Sequence, residues 1–147
     1  MRVYIAAPFG TNAPNDKLRQ NANEVAQILQ DKGCSVYCPW EMHIPHAWDY
    51  PNDEWAQMVF ITDVTHIDQA DLVIMLSYGR TQTTAGTNWE AGYAYGIGKT
   101  ILLIEMNNEV QSLMVANGRY ATISGIQYLK TLDLENLKPL RTKTEQC

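Results

Sequence analysis

The run Leu72-Val73-Ile74-Met75-Leu76 offers no polar residue to turn towards water. A strand sends successive side chains to opposite faces, so an unbroken apolar strand must be covered on both. That requirement removes sheets with one wet face and points to a parallel sheet with helices packed on either side. The rest of the chain supplies suitable parts. Arg2–Ala6 is a short β-rich run closed by Pro8 and Gly10. Asn15 or Asp16 can cap a helix whose apolar residues Leu18, Ala22, Val25 and Leu29 recur at helical spacing, with Lys32-Gly33 at its end. Ser35–Cys38 reads as a second strand stopped by Pro39, and a loop rich in proline, histidine and aromatics runs from Trp40 to Pro51.

A second helix starting at Asn52 or Asp53 places Trp55, Val59 and Asp63 four apart on one stripe. Asp71–Leu76 is the third strand, with Asp71 as a cap at its start. The Gly79–Asn88 loop leads into a helix ended by Gly98. Thr100–Ile104 is a fourth strand, Ala121–Ile123 a weak fifth, and Leu129–Leu137 a last helical segment before a solvated tail, Thr142–Cys147. Strands alternating with helices imply a three-layer α/β sandwich of the flavodoxin-like (Rossmann-like) kind, with a five-stranded parallel sheet in the order 2-1-3-4-5. No repeat, linker or low-complexity tract divides the chain, so residues 1–147 read as one domain. Ligands bind such sheets beyond the carboxyl ends of the strands, near the switch point between strands one and three. The loops that matter are then Ala6–Gly10, Pro39–Pro51 and Ser77–Glu90.

Composition narrows the function. The chain has a net charge of −5 and no run of Lys or Arg, which argues against a nucleic-acid polymer or an anionic membrane as partner. Its apolar runs are too short to span a bilayer, and Met1–Pro8 is too short in apolar residues for a secretory signal. Cys34, Cys38 and Cys147 form no CxxC pair, so a reducing cytoplasm is the expected setting. His43 and His46, with Cys38 upstream, lack the paired spacing of a metal site, and no metal is expected. The Gly79–Asn88 loop lacks the Gly-Lys-Ser/Thr of a phosphate-binding loop. Ala6-Ala7-Pro8 stands where a dinucleotide fingerprint would be, so no cofactor is implied.

Glu90 has two readings. Thr87-x-x-Glu90 fits a capping box, in which the carboxylate merely holds a helix start. The same carboxylate, in the first turn of a helix at a cleft, would be kept ionised by the helix dipole and could act as a nucleophile. Asp63 shares its stripe with Trp55 and Val59 and should face the protein or the cleft. Two carboxylates flanking one cleft suit cleavage of a glycosidic bond. Tyr4 serves as core packing or as a phenol holding a carboxylate. Phe9, Trp40, Trp48 and Trp55 either stack a flat ring or close a core. Gly86 would let the backbone approach a ligand closely, and His66 reads as a surface or half-buried helix residue.

Beyond these arguments, the sequence resembles the nucleoside 2-deoxyribosyltransferases along most of its length. The residues that carry the resemblance are Tyr4 with Ala7-Pro8-Phe9; Trp55, Asp63 and Ala70-Asp71-Leu72-Val73-Ile74; Gly86-Thr87-x-x-Glu90-x-Gly92-Tyr93-Ala94 with Gly98-Lys99; and Leu113-Met114 with Gly118. It implies that Glu90 attacks C1′ of a deoxyribose to form a covalent deoxyribosyl ester, that Tyr4 holds and tunes it, and that Asp63 contacts the sugar hydroxyls or passes a proton. A second nucleobase would resolve the ester, so the expected partners are small nucleosides and nucleobases. It also implies a homo-oligomer in which Ser112 and Met114 complete a neighbouring subunit's site, with Phe9, Trp40, Thr84 and Gly86 among the substrate-binding residues.

Three departures from the family bear on the substrate. The transferases commonly carry Asp where this chain has Thr84 and often Asn where it has Ser112, and their C-terminal aromatic carboxylate is replaced by Cys147. Hydroxyls at the first two positions resemble instead the related deoxynucleoside 5′-monophosphate N-glycosidases, the alternative reading. Against it, the loop after strand one carries no arginine to pair with a phosphate. A third possibility is a non-catalytic nucleotide-binding module on the same fold.

Overall fold

A computed structural model describes residues 1–11, 13 and 15–138. Its five strands are β1 (Arg2–Ala6), β2 (Ser35–Tyr37), β3 (Leu72–Ser77), β4 (Thr100–Glu105) and β5 (Ala121–Ser124). They form one sheet in the order β2-β1-β3-β4-β5, and every pairing is parallel. The helices are α1 (Lys17–Asp31), α2 (Asn52–Gln69), α3 (Ala85–Gly96) and α4 (Leu113–Gly118).

The period of two along each central strand splits the core cleanly. Val3 and Ile5, Leu72, Ile74 and Leu76, and Leu102 and Ile104 pack with Ala22, Val25 and Leu29 of α1. The alternate residues Tyr4 and Ala6, Val73 and Met75, and Ile101 and Leu103 pack with Ile67 of α2 and with Ala91 and Ala94 of α3. Each interior strand thus carries an unbroken apolar run because it serves two cores at once.

Local signals set several boundaries. Asp16 caps α1, its carboxylate accepting from the backbone N–H groups of Leu18 and Arg19. The same carboxylate accepts from Thr11 N–H, closing the loop that follows β1. Gly10 has φ +59°, and a Cβ there would fall on the Asp16 carboxylate, so this tight return needs glycine. Asp71 precedes β3 and accepts from the Arg2 N–H at 2.7 Å, tying β3 to the start of β1.

Two expectations need correction. The segment Leu129–Leu137 is not an α-helix: a short 3-10 turn at Ile126–Lys130 buries Leu129, and no helix follows it among the described residues. Asp133 accepts from the backbone N–H groups of Glu135 and Asn136, offering that backbone a local partner in place of a helical ladder. Conversely, α4 forms where no helix was read, with Ser112 as its N-cap. At six residues it is too short to show periodicity in sequence. The tail expected to be solvated, 142–147, lies outside the described residues.

Candidate active site

The site begins with a coincidence of register. β1 and β2 pair in parallel with Tyr4 opposite Tyr37, and paired residues of neighbouring strands share a face. The two rings stack with centroids 5.5 Å apart and planes 25° apart. α2 crosses the same face and contributes two side chains. Asp63 Oδ1 accepts from Tyr37 Oη at 2.9 Å. His66, one turn later, stacks its ring on Tyr37, with centroids 3.7 Å apart and planes 12° apart.

The fourth member arrives on α3. Thr87, Ala91 and Ala94 are buried and define the side of α3 that faces the sheet. Glu90 lies three residues from Thr87 and four from Ala94, on the same stripe. Its carboxylate meets the Tyr4 phenol, which is fully buried on β1. Among the described residues Tyr4 Oη closes no hydrogen bond of full geometry, so Glu90 is the acceptor it faces rather than one it already holds firmly.

The electrostatics follow from this crowding. Burial, reinforced by the negative charge of Asp63, pushes Glu90 up to about 8, with the Tyr4 hydroxyl pulling the other way. Burial also raises Asp63, while the Tyr37 hydroxyl and then His66 oppose that rise. Burial raises both phenols; Glu90 and Asp63 add to the effect on Tyr4, and Asp63 adds to that on Tyr37. The result is a pair of half-buried carboxylates whose two members differ in their readiness to hold a proton.

This geometry overturns the capping-box reading of Glu90. α3 starts at Ala85, with Thr84 as N-cap: its hydroxyl accepts from Thr87 N–H and lies 2.8 Å from the Thr87 hydroxyl. Glu90 is therefore the sixth residue of α3, beyond the first turn where capping and the helix dipole act. The expectation that the dipole keeps it ionised fails as well, because burial and Asp63 dominate.

The other expected site residues are scattered. Gly86 lies in the first turn of α3 rather than in a loop, and open space surrounds the position a Cβ would take. Phe9 and Trp40 meet each other at a centroid distance of 6.1 Å on the α1 side of the sheet. Trp40 Nε1 donates to Asn23, and the Arg19 guanidinium sits 5.1 Å from the Phe9 ring centre. Arg19 also donates to the backbone oxygens of Thr11 and Trp40, so α1 delivers a cation to the strand-one loop that the loop's own sequence lacks. Trp55 is 44% exposed and does not share the inward course of Asp63 on their stripe. Ser112 Oγ accepts from Val115 N–H as the cap of α4, while Met114 is 85% exposed. Both line a cavity of about 440 Å³ between α3 and α4 that Glu90 does not line. Tyr37 is the participant that sequence reading missed. Its only signal was a matching Val-Tyr pair in the first two strands, meaningful once their register is known.

A half-buried carboxylate pair with phenols, at the switch-point face of a parallel α/β sheet, is equipped for displacement at a sugar carbon. Comparison with known proteins agrees. Residues 3–139 match the nucleoside 2-deoxyribosyltransferase family, and the chain belongs to that family, whose enzymes act on N-glycosidic bonds. A 2-deoxyribosyltransferase from Bacillus psychrosaccharolyticus superposes with a TM-score of 0.83 at 27% identity, covering 96% of this chain and 100% of that one. A CMP N-glycosidase from Clostridium botulinum (TM-score 0.61, 20% identity, 92% of this chain and 100% of that one) shares the fold. So does a 2-deoxyribosyltransferase from Leishmania mexicana (0.59, 19%, 90% and 99%). No match was found among curated protein sequences.

Proposed function

We propose that the protein is a nucleoside 2-deoxyribosyltransferase with Glu90 as nucleophile. The observation that carries this is the Glu90 carboxylate, held on the sheet-facing side of α3 against Tyr4 and under the influence of Asp63. In the ionised form Glu90 attacks C1′ of a 2′-deoxynucleoside. The C1′–N bond breaks, its electrons leave with the base, and a deoxyribosyl ester remains. Asp63 contacts the sugar hydroxyls or passes the proton that the departing base takes up. Tyr4 donates to the carboxylate and restrains it. An incoming base then attacks C1′ and releases Glu90. The test is product analysis of 2′-deoxynucleosides incubated with and without a second free base. New nucleoside that forms only when the base is supplied, and not with Glu90→Gln, is the expected result. Free sugar as the only product, with or without added base, counts against transfer.

A second reading is cleavage of nucleoside 5′-monophosphates by water. The observation that favours it is Arg19, which brings a guanidinium to the strand-one loop. Against it, the hydroxyls of Thr84 and Ser112, candidates for holding a phosphate, already accept backbone N–H groups as helix caps. We also propose that the enzyme is a homo-oligomer in which Ser112 and Met114 complete a neighbouring copy's site.

A further inference from the structure

The Tyr37 ring stacks with two others, Tyr4 at 5.5 Å and His66 at 3.7 Å, which together clamp it. Each clamp is set by a different element: Tyr4 by the β1–β2 register, His66 by its place one turn beyond Asp63 on α2. A ring so held has little freedom to turn, and its hydroxyl points at one oxygen, Asp63 Oδ1. Among the described residues, four titratable groups face Asp63: Tyr37 from β2, His66 from α2 itself, and Tyr4 and Glu90 from β1 and α3.

From this geometry we infer that Tyr37 is a positioning residue for the carboxylate pair: it fixes Asp63 through Oδ1 and so directs the other carboxylate oxygen to the sugar. The inference rests on the reading of Glu90 and Asp63 as the reacting pair, and it adds a residue that does not itself touch substrate. The hydrogen bond has a second effect. It favours ionised Asp63 against the cost of burial, and that charge in turn helps to hold a proton on Glu90. Tyr37 thus reaches the nucleophile through Asp63, and the aromatic clamp sets the strength of the coupling.

The test is Tyr37→Phe, which keeps the ring and its stacking and removes only the donor. Two readouts are needed. In steady-state kinetics with a 2′-deoxynucleoside and a free base, kcat falls by roughly tenfold or more, the size expected when a hydrogen bond to a charged group is lost, while KM changes little. In carbon-13 NMR of the side-chain carboxyls, which needs no turnover, the Asp63 titration moves to higher pH. Placing 3-fluorotyrosine at position 37, a stronger donor of the same shape, moves that titration to lower pH and guards against a variant that folds poorly. An Asp63 titration that stays put in Tyr37→Phe overturns the inference, even if kcat drops, because the loss would then be one of packing. Wild-type protein without transfer or hydrolysis would instead sink the enzymatic reading, and the Asp63 titration would still decide whether Tyr37 sets that carboxylate.

Discussion

At the scale of single residues, the raised Glu90 carboxyl makes two linked statements. A nucleophilic carboxylate must be ionised, so kcat/KM should climb with pH and level off above about 8, the value to which burial and Asp63 push it. A profile already flat from pH 5 upward would show that Glu90 is not raised by its surroundings in this way. The same shift weakens the fold. Between the ordinary carboxyl value of 4.5 and about 8, the folded chain keeps a proton that the unfolded chain has released. Stability therefore falls as pH rises through that window. Glu90→Gln carries no such cost. It should abolish turnover yet stabilise the protein at pH 8–9 by on the order of 2–4 kcal/mol, with the gain shrinking towards pH 5. Thermal unfolding of both proteins at the two pH values checks this, and equal midpoints throughout would contradict it.

Among the elements, α3 connects substrate choice to folding, because its N-cap is Thr84. Thr84→Ala should cost about 1 kcal/mol, seen as a lower urea midpoint with an unchanged slope. Thr84→Asp keeps a capping oxygen and adds a charge, so it reports on ligand rather than on stability. If position 84 faces the leaving base, this change preserves or improves nucleoside transfer. If it holds a 5′-phosphate, two negative charges meet and monophosphate cleavage collapses; a wild-type enzyme that acts only on monophosphates and loses that activity here would promote the second reading. Elements also show what the sequence could and could not tell. β3 and β4 were legible because strands covered on both faces must be apolar throughout. The inward course of Asp63 was legible from helical spacing, although the same stripe misplaced Trp55, which is exposed. The start of α3 was misplaced by three residues because Thr84 and Thr87 are both credible caps, and only the backbone decides between them. Tyr37 stayed hidden because its partner Tyr4 lies 33 positions away, joined by strand register rather than by any local pattern.

For the whole molecule, the largest unexplained feature is apolar surface. Trp55, Phe60 and Ile61 of α2, Trp89 and Tyr95 of α3, and Leu113 and Met114 of α4 are all exposed, the last two at 81% and 85%. Phe60, Trp89 and Tyr93 form a run of ring contacts with centroids 5.3 and 5.4 Å apart. A lone chain rarely leaves so much large apolar side chain in water on three neighbouring helices, and beside it lies the α3–α4 cavity lined by Met114 and Tyr95. A second copy would cover this face, and a closed pair would use the same patch on both chains. The expected outcome is a sedimentation coefficient above that of a 16.6 kDa monomer at assay concentration. Size alone does not say whether the sites are shared, so the decisive measurement mixes two impaired variants. Glu90→Gln lacks the nucleophile, and Met114→Ala lacks the proposed contribution to the neighbour's site. In a hybrid pair, the intact Glu90 of one chain meets the intact Met114 of the other, and one complete site reappears. Activity regained on mixing, after exchange of subunits, supports sites built across the interface. Activity that never exceeds the average of the two separate variants would confine each site to its own chain, and Met114 would then be an interface residue without a part in the chemistry.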